Sequence, residues 1–252
     1  MAQGGLHALI GTVIVKATGK DAAEPGRAVA AKSFAFGFVT GNVLPDVDLA
    51  ALALVYFFDR DLALKMHRTA THSLVVIALF TTIGLLFSTT RGGRSFFQGL
   101  GTGMVLHVLF DVLMWFSAVD ILWPLGRFGI PSEVNLWTWF SLPRLWLDLL
   151  GSADFLLMAL FYQYLLGRGR MYGTNVRFLP ALRSFMLLHL ALFAAFAGLP
   201  FFLSAGMFEI VHYDAIVLLT LPMTAVAVIR ARPTIERLAV ASIDYRWGEQ
   251  AY

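Results

Sequence analysis

Apolar runs long enough to cross a bilayer recur along this chain, and they leave few folds open to it. Residues 97–118, 145–167, 184–204 and 210–229 are nearly free of charge, and each reaches the roughly 20 residues that span about 30 Å of hydrocarbon at about 1.5 Å per residue. Residues 72–88 (HSLVVIALFTTIGLLFS) read as a further crossing. In lipid a backbone must satisfy its own hydrogen bonds, so such runs are helices. Two shorter apolar segments precede them, 4–15 and 28–44, the second ended by Pro45, and a short apolar piece covers 49–58. A chain that is 58% hydrophobic and 14% charged is too apolar for an ordinary soluble domain. The expectation is an all-α, polytopic helical membrane protein with about six to seven membrane-embedded helices, one of them short and N-terminal. No linker or repeat divides it. Residues 1–125 carry the chemically suggestive side chains, and 126–252 add helices and a short tail within the same membrane domain.

Lysine and arginine set the orientation. Arg91 and Arg94, then Arg168, Arg170, Arg177 and Arg183, then Arg230, Arg232 and Arg237 mark loops expected in the cytoplasm together with the C-terminus. Asp120, Glu133 and Glu209 mark the outer loops. The net charge of +3 belongs to those loops rather than to a basic face, so a nucleic-acid partner is not expected. With no cysteine in the chain, a metal would be held by His, Asp and Glu alone.

On this topology the ionisable residues of several segments gather on the outer side. His7 lies in the first helix, and Asp46 and Asp48 follow Pro45 at the end of the second. His67 and His72 sit five apart in KMHRTATHS, at the mouth of the next. His107 and Asp111 are four apart, hence on one helix face. Taken singly, each has a plain structural reading: His107 and Asp111 as a hydrogen-bonded pair tying helices, Asp46 and Asp48 as a solvated turn with Asp48 capping a helix, His7 as a packed residue. Taken together they offer seven nitrogen or carboxylate ligands, enough for two ions, or for one ion with supporting carboxylates.

The series His7, GNVLPDVD, HRTATHS, HVLFD and the ILWP of Ile121–Pro124 resembles the bacterial inner-membrane proteins classed as membrane-bound metal-dependent hydrolases. The resemblance covers roughly residues 1–125. Thr69 and Ala70 stand where the family has a glycine and a bulky apolar residue. Leu113, Met114 and Trp115 replace its Leu-Thr-Pro. The resemblance implies metal ligation by His7, Asp46, Asp48, His67, His72, His107 and Asp111. Its motif style is similar to that of zinc-dependent phospholipase C, which implies phosphoester hydrolysis on a membrane lipid or lipid-linked substrate.

The chemistry expected is attack by metal-activated water, with one or two divalent ions, zinc first and manganese or iron as alternatives. One of Asp46, Asp48 or Asp111 would accept the proton. Arg68 would clamp a phosphate, or else anchor the chain at the lipid headgroups. Thr71 and Ser73 either cap the following helix or orient ligands. Asp148 is placed to reach the site as a supporting carboxylate, whereas Asp154, His189 and His212 read as structural. The aromatics between Trp137 and Trp146 read as an interfacial belt or a lipid groove. A transporter remains open as an alternative, although it would need ionisable groups in both membrane halves. So does a scaffold with a closed structural metal shell.

Overall fold

The computed structural model describes residues 4–19, 25–49, 55, 58–59, 62–63, 66–67, 69–114 and 118–240. Their helices are α1 (Gly4–Thr18), α2 (Pro25–Gly41), α3 (Leu74–Phe87), α4 (Arg91–Met114), α5 (Arg144–Tyr172), α6 (Leu179–Gly198), α7 (Ala205–Arg230) and α8 (Arg232–Leu238). Four stretches are long and apolar enough to cross a membrane: α4, α5, the segment Val176–Phe201 that contains α6, and α7. α1 and α3 are shorter apolar helices. The short apolar piece expected over 49–58 falls mostly outside the described residues.

Two expectations are corrected by local chemistry. The run 72–88 does not form a full crossing, because the Ser73 hydroxyl accepts from the Val75 and Val76 N–H groups and starts α3 one residue later. His72 is thereby left in a 3-10 turn, Ala70–His72. The 14 residues of α3 rise only about 21 Å, against about 30 Å of hydrocarbon. Pro200, expected inside a helix, instead lies in the 3-10 turn Leu199–Phe201 that closes α6. Pro222 does lie inside α7, and a π turn at Ile216–Thr220 precedes it, widening the helix where proline removes a donor and crowds the preceding turn.

Glycine dictates the closest packing in the molecule. Gly37 and Gly41 on α2 face Gly99 and Gly103 on α4, and the contact is reciprocal. A Cβ on Gly37 or Gly41 would collide with the carbonyls of Phe96 or Leu100, and one on Gly99 or Gly103 with those of Phe34 or Phe38. Each pair is spaced GxxxG, the pattern that lets two membrane helices approach backbone to backbone. α1 meets α5 in the same way, since a Cβ on Gly5 would stand 2.5 Å from both the Asp154 carbonyl oxygen and the Met158 nitrogen. Ala8 and Val15 of α1, Phe38 of α2, Phe161 and Leu165 of α5 and Ile235 of α8 then share one buried core.

Between α4 and α5 a small antiparallel hairpin pairs Val119 with Val134 and Asp120 with Glu133, which the apolar pattern does not announce. Beyond it Trp139 and Trp146 are 77% and 58% exposed. The Trp137 indole donates to the Leu113 carbonyl at 3.2 Å, tying this aromatic stretch to the end of α4.

Candidate metal centre

The glycine contact between α2 and α4 places the first ligand. Gly41 is followed directly by Asn42, and Gly103 precedes His107 by about one turn, so the close approach brings the Asn42 carbonyl to the His107 ring. His107 Nδ1 donates to that carbonyl at 2.8 Å. A carbonyl only accepts, so Nδ1 carries the proton and Nε2 points inward. After Asn42, Pro45 opens the 3-10 turn Pro45–Val47, which buries Asp46 while Asp48 follows it.

The ILWP segment places the second. The Leu74 N–H donates to the Ile121 carbonyl at 2.8 Å, and the Ser73 hydroxyl donates to the Trp123 carbonyl at 2.5 Å. These bonds clamp the turn that carries His72. The Thr71 hydroxyl donates to Asp48 Oδ2 at 2.9 Å and lies 3.0 Å from His72 Nδ1. Its one proton is committed to the carboxylate, so it accepts from His72 Nδ1–H and leaves His72 Nε2 as a lone pair. His67 Nδ1 donates to the same carboxylate, at 3.1 and 3.2 Å from its two oxygens.

Three atoms then converge. His72 Nε2 lies 3.3 Å from His107 Nε2 and 3.2 Å from Asp111 Oδ2, and His107 Nε2 lies 3.6 Å from Asp111 Oδ2. A tetrahedral ion with bonds of about 2.0–2.1 Å has ligands about 3.3 Å apart. The triangle has the dimensions of one face of such a tetrahedron. Both imidazoles have their other nitrogen held by a carbonyl or a hydroxyl–carboxylate pair, the arrangement that fixes the tautomer of metal-binding histidines. Asp46 Oδ1 stands beside the triangle, 3.6 Å from His107 Nε2 and 3.8 Å from His72 Nε2. His7 Nε2 lies 3.1 Å from the other oxygen of Asp111, and its ring stacks on that of His107 with centroids 3.7 Å apart. All five residues are at most 5% exposed. Buried His/Asp groups of this kind could hold a metal ion, and two such groups overlap here: His72, His107 and Asp111, and His7, Asp46 and His107.

Burial works to raise the Asp46 carboxyl. In the metal-free centre the attraction and hydrogen bonding of a His107 imidazole protonated on both nitrogens outweigh burial and hold it below its ordinary range; a metal ion would take the place of the Nε2 proton. Two buried carboxylates with three imidazoles call for a cation, and protons compete with a metal for the same atoms.

The expected site residues therefore separate. His7, Asp46, His72, His107 and Asp111 come together at the centre. Asp48, His67 and Thr71 form the hydrogen-bonded chain that orients His72. Thr71 does not cap the helix, whereas Ser73 does. Asp148 pairs with Arg144 on its own helix at 2.9 Å, one turn away, because the i, i+4 spacing puts the guanidinium within reach. Arg68 lies outside the described residues. One contributor was not foreseen: Asn42 acts through its backbone carbonyl, foreshadowed only by its place after GFVTG. Asp154, expected to be structural, accepts from the Gly5 N–H at 2.8 Å, capping the start of α1 and so fixing the helix that carries His7.

A family model described as YdjM inner membrane protein matches residues 1–199. No curated protein and no solved structure matches the chain. The chain thus belongs to the YdjM inner membrane protein family and is a bacterial inner-membrane protein.

Proposed function

We propose that this member of the YdjM inner membrane protein family is a metal-dependent hydrolase that cleaves a phosphoester of a lipid or lipid-linked substrate at the outer side of the membrane, with zinc as its first-choice ion. The observation that carries this reading is the triangle of His72 Nε2, His107 Nε2 and Asp111 Oδ2. Three protein ligands leave a fourth position for water or substrate, as in catalytic rather than structural zinc sites. An ion held there supplies Lewis acidity and lowers the pKa of its water from about 15.7 to about 7.

The chain's own residues supply the rest. Asp111 and Asp48 are engaged by His7 and by His67 with Thr71. Asp46 faces the triangle through Oδ1, while its Oδ2 has no hydrogen-bond partner among the described residues. Asp46 is accordingly the carboxylate to accept a proton from the attacking water. A groove of about 590 Å³ between α3 and α4, lined by Leu74, Ile77, Thr81, Gly101 and Val105, begins two residues from His72 and suits an apolar chain of the substrate. The outer-side orientation rests on the arginines at the opposite ends of these helices. Arg68, next to His67, serves as the phosphate clamp.

One observation favours a second reading. Asp46 Oδ1 is close enough to both imidazoles to close the coordination shell, which would make a structural site in a non-enzymatic scaffold. The deciding experiment uses the detergent-purified full chain loaded with zinc and incubated with phosphatidate and with a polyprenyl pyrophosphate. The expected result is phosphate release that a chelator abolishes and that His72→Ala lacks. Stoichiometric zinc without release from either lipid would favour the scaffold.

A further inference from the structure

We infer that the centre has a second metal position, built by His7, Asp46 and the outer oxygen of Asp111, so that the site is made for two ions bridged by Asp111. This rests on the hydrolase reading for its use, but not for its evidence. The two overlapping ligand groups share His107, and His107 has only one atom to give: its Nδ1 is committed to the Asn42 carbonyl, and Nε2 carries a single lone pair. Nε2 belongs to the triangle with His72 and Asp111 Oδ2. The other group then has to be completed by something else.

Asp111 supplies it. Its Oδ2 faces His72 and His107, and its Oδ1 lies 3.1 Å from His7 Nε2, the same spacing as the edges of the first triangle. A carboxylate turned this way, one oxygen to each cluster, is the bridging ligand of two-ion sites. Asp46 is the third contributor. Its Oδ1 borders the first position, and its Oδ2 is buried without a hydrogen-bond partner among the described residues and lies near α1, 3.7 Å from where a Cβ on Gly4 would stand. A buried carboxylate oxygen without a partner is costly unless a cation meets it. Gly4 is also on the helix that carries His7, and Asp154 anchors that helix at Gly5, so α1 is held with its ligand face toward Asp46.

Charge connects the second position to the substrate. One divalent ion balances Asp46 and Asp111; a second leaves the centre net positive, ready for an anionic phosphoester. In a two-ion site the pair stabilises the attacking and the leaving oxygen together.

The test is a manganese titration of the purified full chain, read by elemental analysis and by electron paramagnetic resonance. Two ions per wild-type chain with a spin-coupled spectrum are expected, and His7→Gln should bind one ion with an uncoupled spectrum. One ion per wild-type chain overturns the inference, and it does so whether or not the variant folds. Two ions retained in His7→Gln, or none, also overturn it, since His7 would then serve neither position or the first. A wild type that binds no ion would overturn the metal reading of the whole centre, whereas one ion with lipid hydrolysis would remove the second position alone.

Discussion

The molecule buries histidines in two places, and among the described residues only one of them forms a group that could hold a metal ion. In the N-terminal half, His7, His72 and His107 meet two carboxylates. In the C-terminal half, His189 and His212 are as deeply buried, yet His189 donates from Nδ1 to the Phe185 carbonyl at 2.9 Å and lies 3.2 Å from the Thr220 hydroxyl through Nε2. His212 packs among Phe155, Phe196 and Phe208, stacked on the last with centroids 5.5 Å apart. Burial alone therefore identifies nothing. The difference is what the free nitrogens meet: in the first region the Nδ1 protons of His72 and His107 are spent outward and Nε2 turns toward carboxylates, whereas in the second both His189 nitrogens are engaged by neutral groups and the His212 nitrogens, without a hydrogen-bond partner among the described residues, lie among aromatic rings.

The strongest way to break this comparison is to exchange its two halves in one experiment. His107→Ala should reduce bound metal from stoichiometric to background, and His189→Ala should leave it unchanged while lowering the melting temperature, because it opens a cavity beside Tyr162 and Phe155. Elemental analysis and a thermal melt on the same preparations read both quantities. Metal lost equally from both variants would mean that general destabilisation, not ligation, explains the first result.

Much of this contrast was legible in the sequence, for reasons that differ by residue. The i, i+4 spacing of His107 and Asp111 fixes them on one face in any helix, and Pro45 fixes a turn at Asp46. Those constraints are local. The split between Asp46 and Asp48 was not legible, because it depends on Thr71 reaching Asp48 across a loop. Nor was the fate of Asp148, since the sequence equally offers it to the centre and to Arg144. The α2–α4 contact could have been read from GFVTG and GLGTG, both in plain view at GxxxG spacing, and it is this contact that sets the Asn42 carbonyl against His107. The hairpin at Val119–Val134 is two residues per strand, too short to produce an alternating pattern, so the role of ILWP as a clamp on the His72 turn emerges only in three dimensions.

A finer test asks whether the outward use of Nδ1 matters by itself. Thr71→Val keeps the shape of the side chain but removes the hydroxyl that links His72 Nδ1 to Asp48. Metal affinity should fall roughly 10- to 100-fold, the usual effect of losing such a supporting partner, while His72 remains present and α3 remains capped. Competition against a chelator of known affinity measures it. An unchanged affinity would show that the position of His72, and not its tautomer, makes the centre.

Ser73→Ala separates those two contributions from the other side. Ser73 touches no ligand; its hydroxyl accepts from the Val75 and Val76 N–H groups and donates to the Trp123 carbonyl. Loss of a helix cap costs about 1 kcal/mol, and the half-buried Trp123 carbonyl left without a donor costs less than the roughly 1–3 kcal/mol of a fully buried one. The expected outcome is a lower melting temperature with metal affinity reduced less than in Thr71→Val, since the Leu74 N–H still holds the turn to Ile121. If Ser73→Ala lost more affinity than Thr71→Val, the clamp of the hairpin on the turn would outrank the hydrogen bond to His72. The two histidine regions would then differ first in how rigidly their backbone is held, and only second in which nitrogen is free.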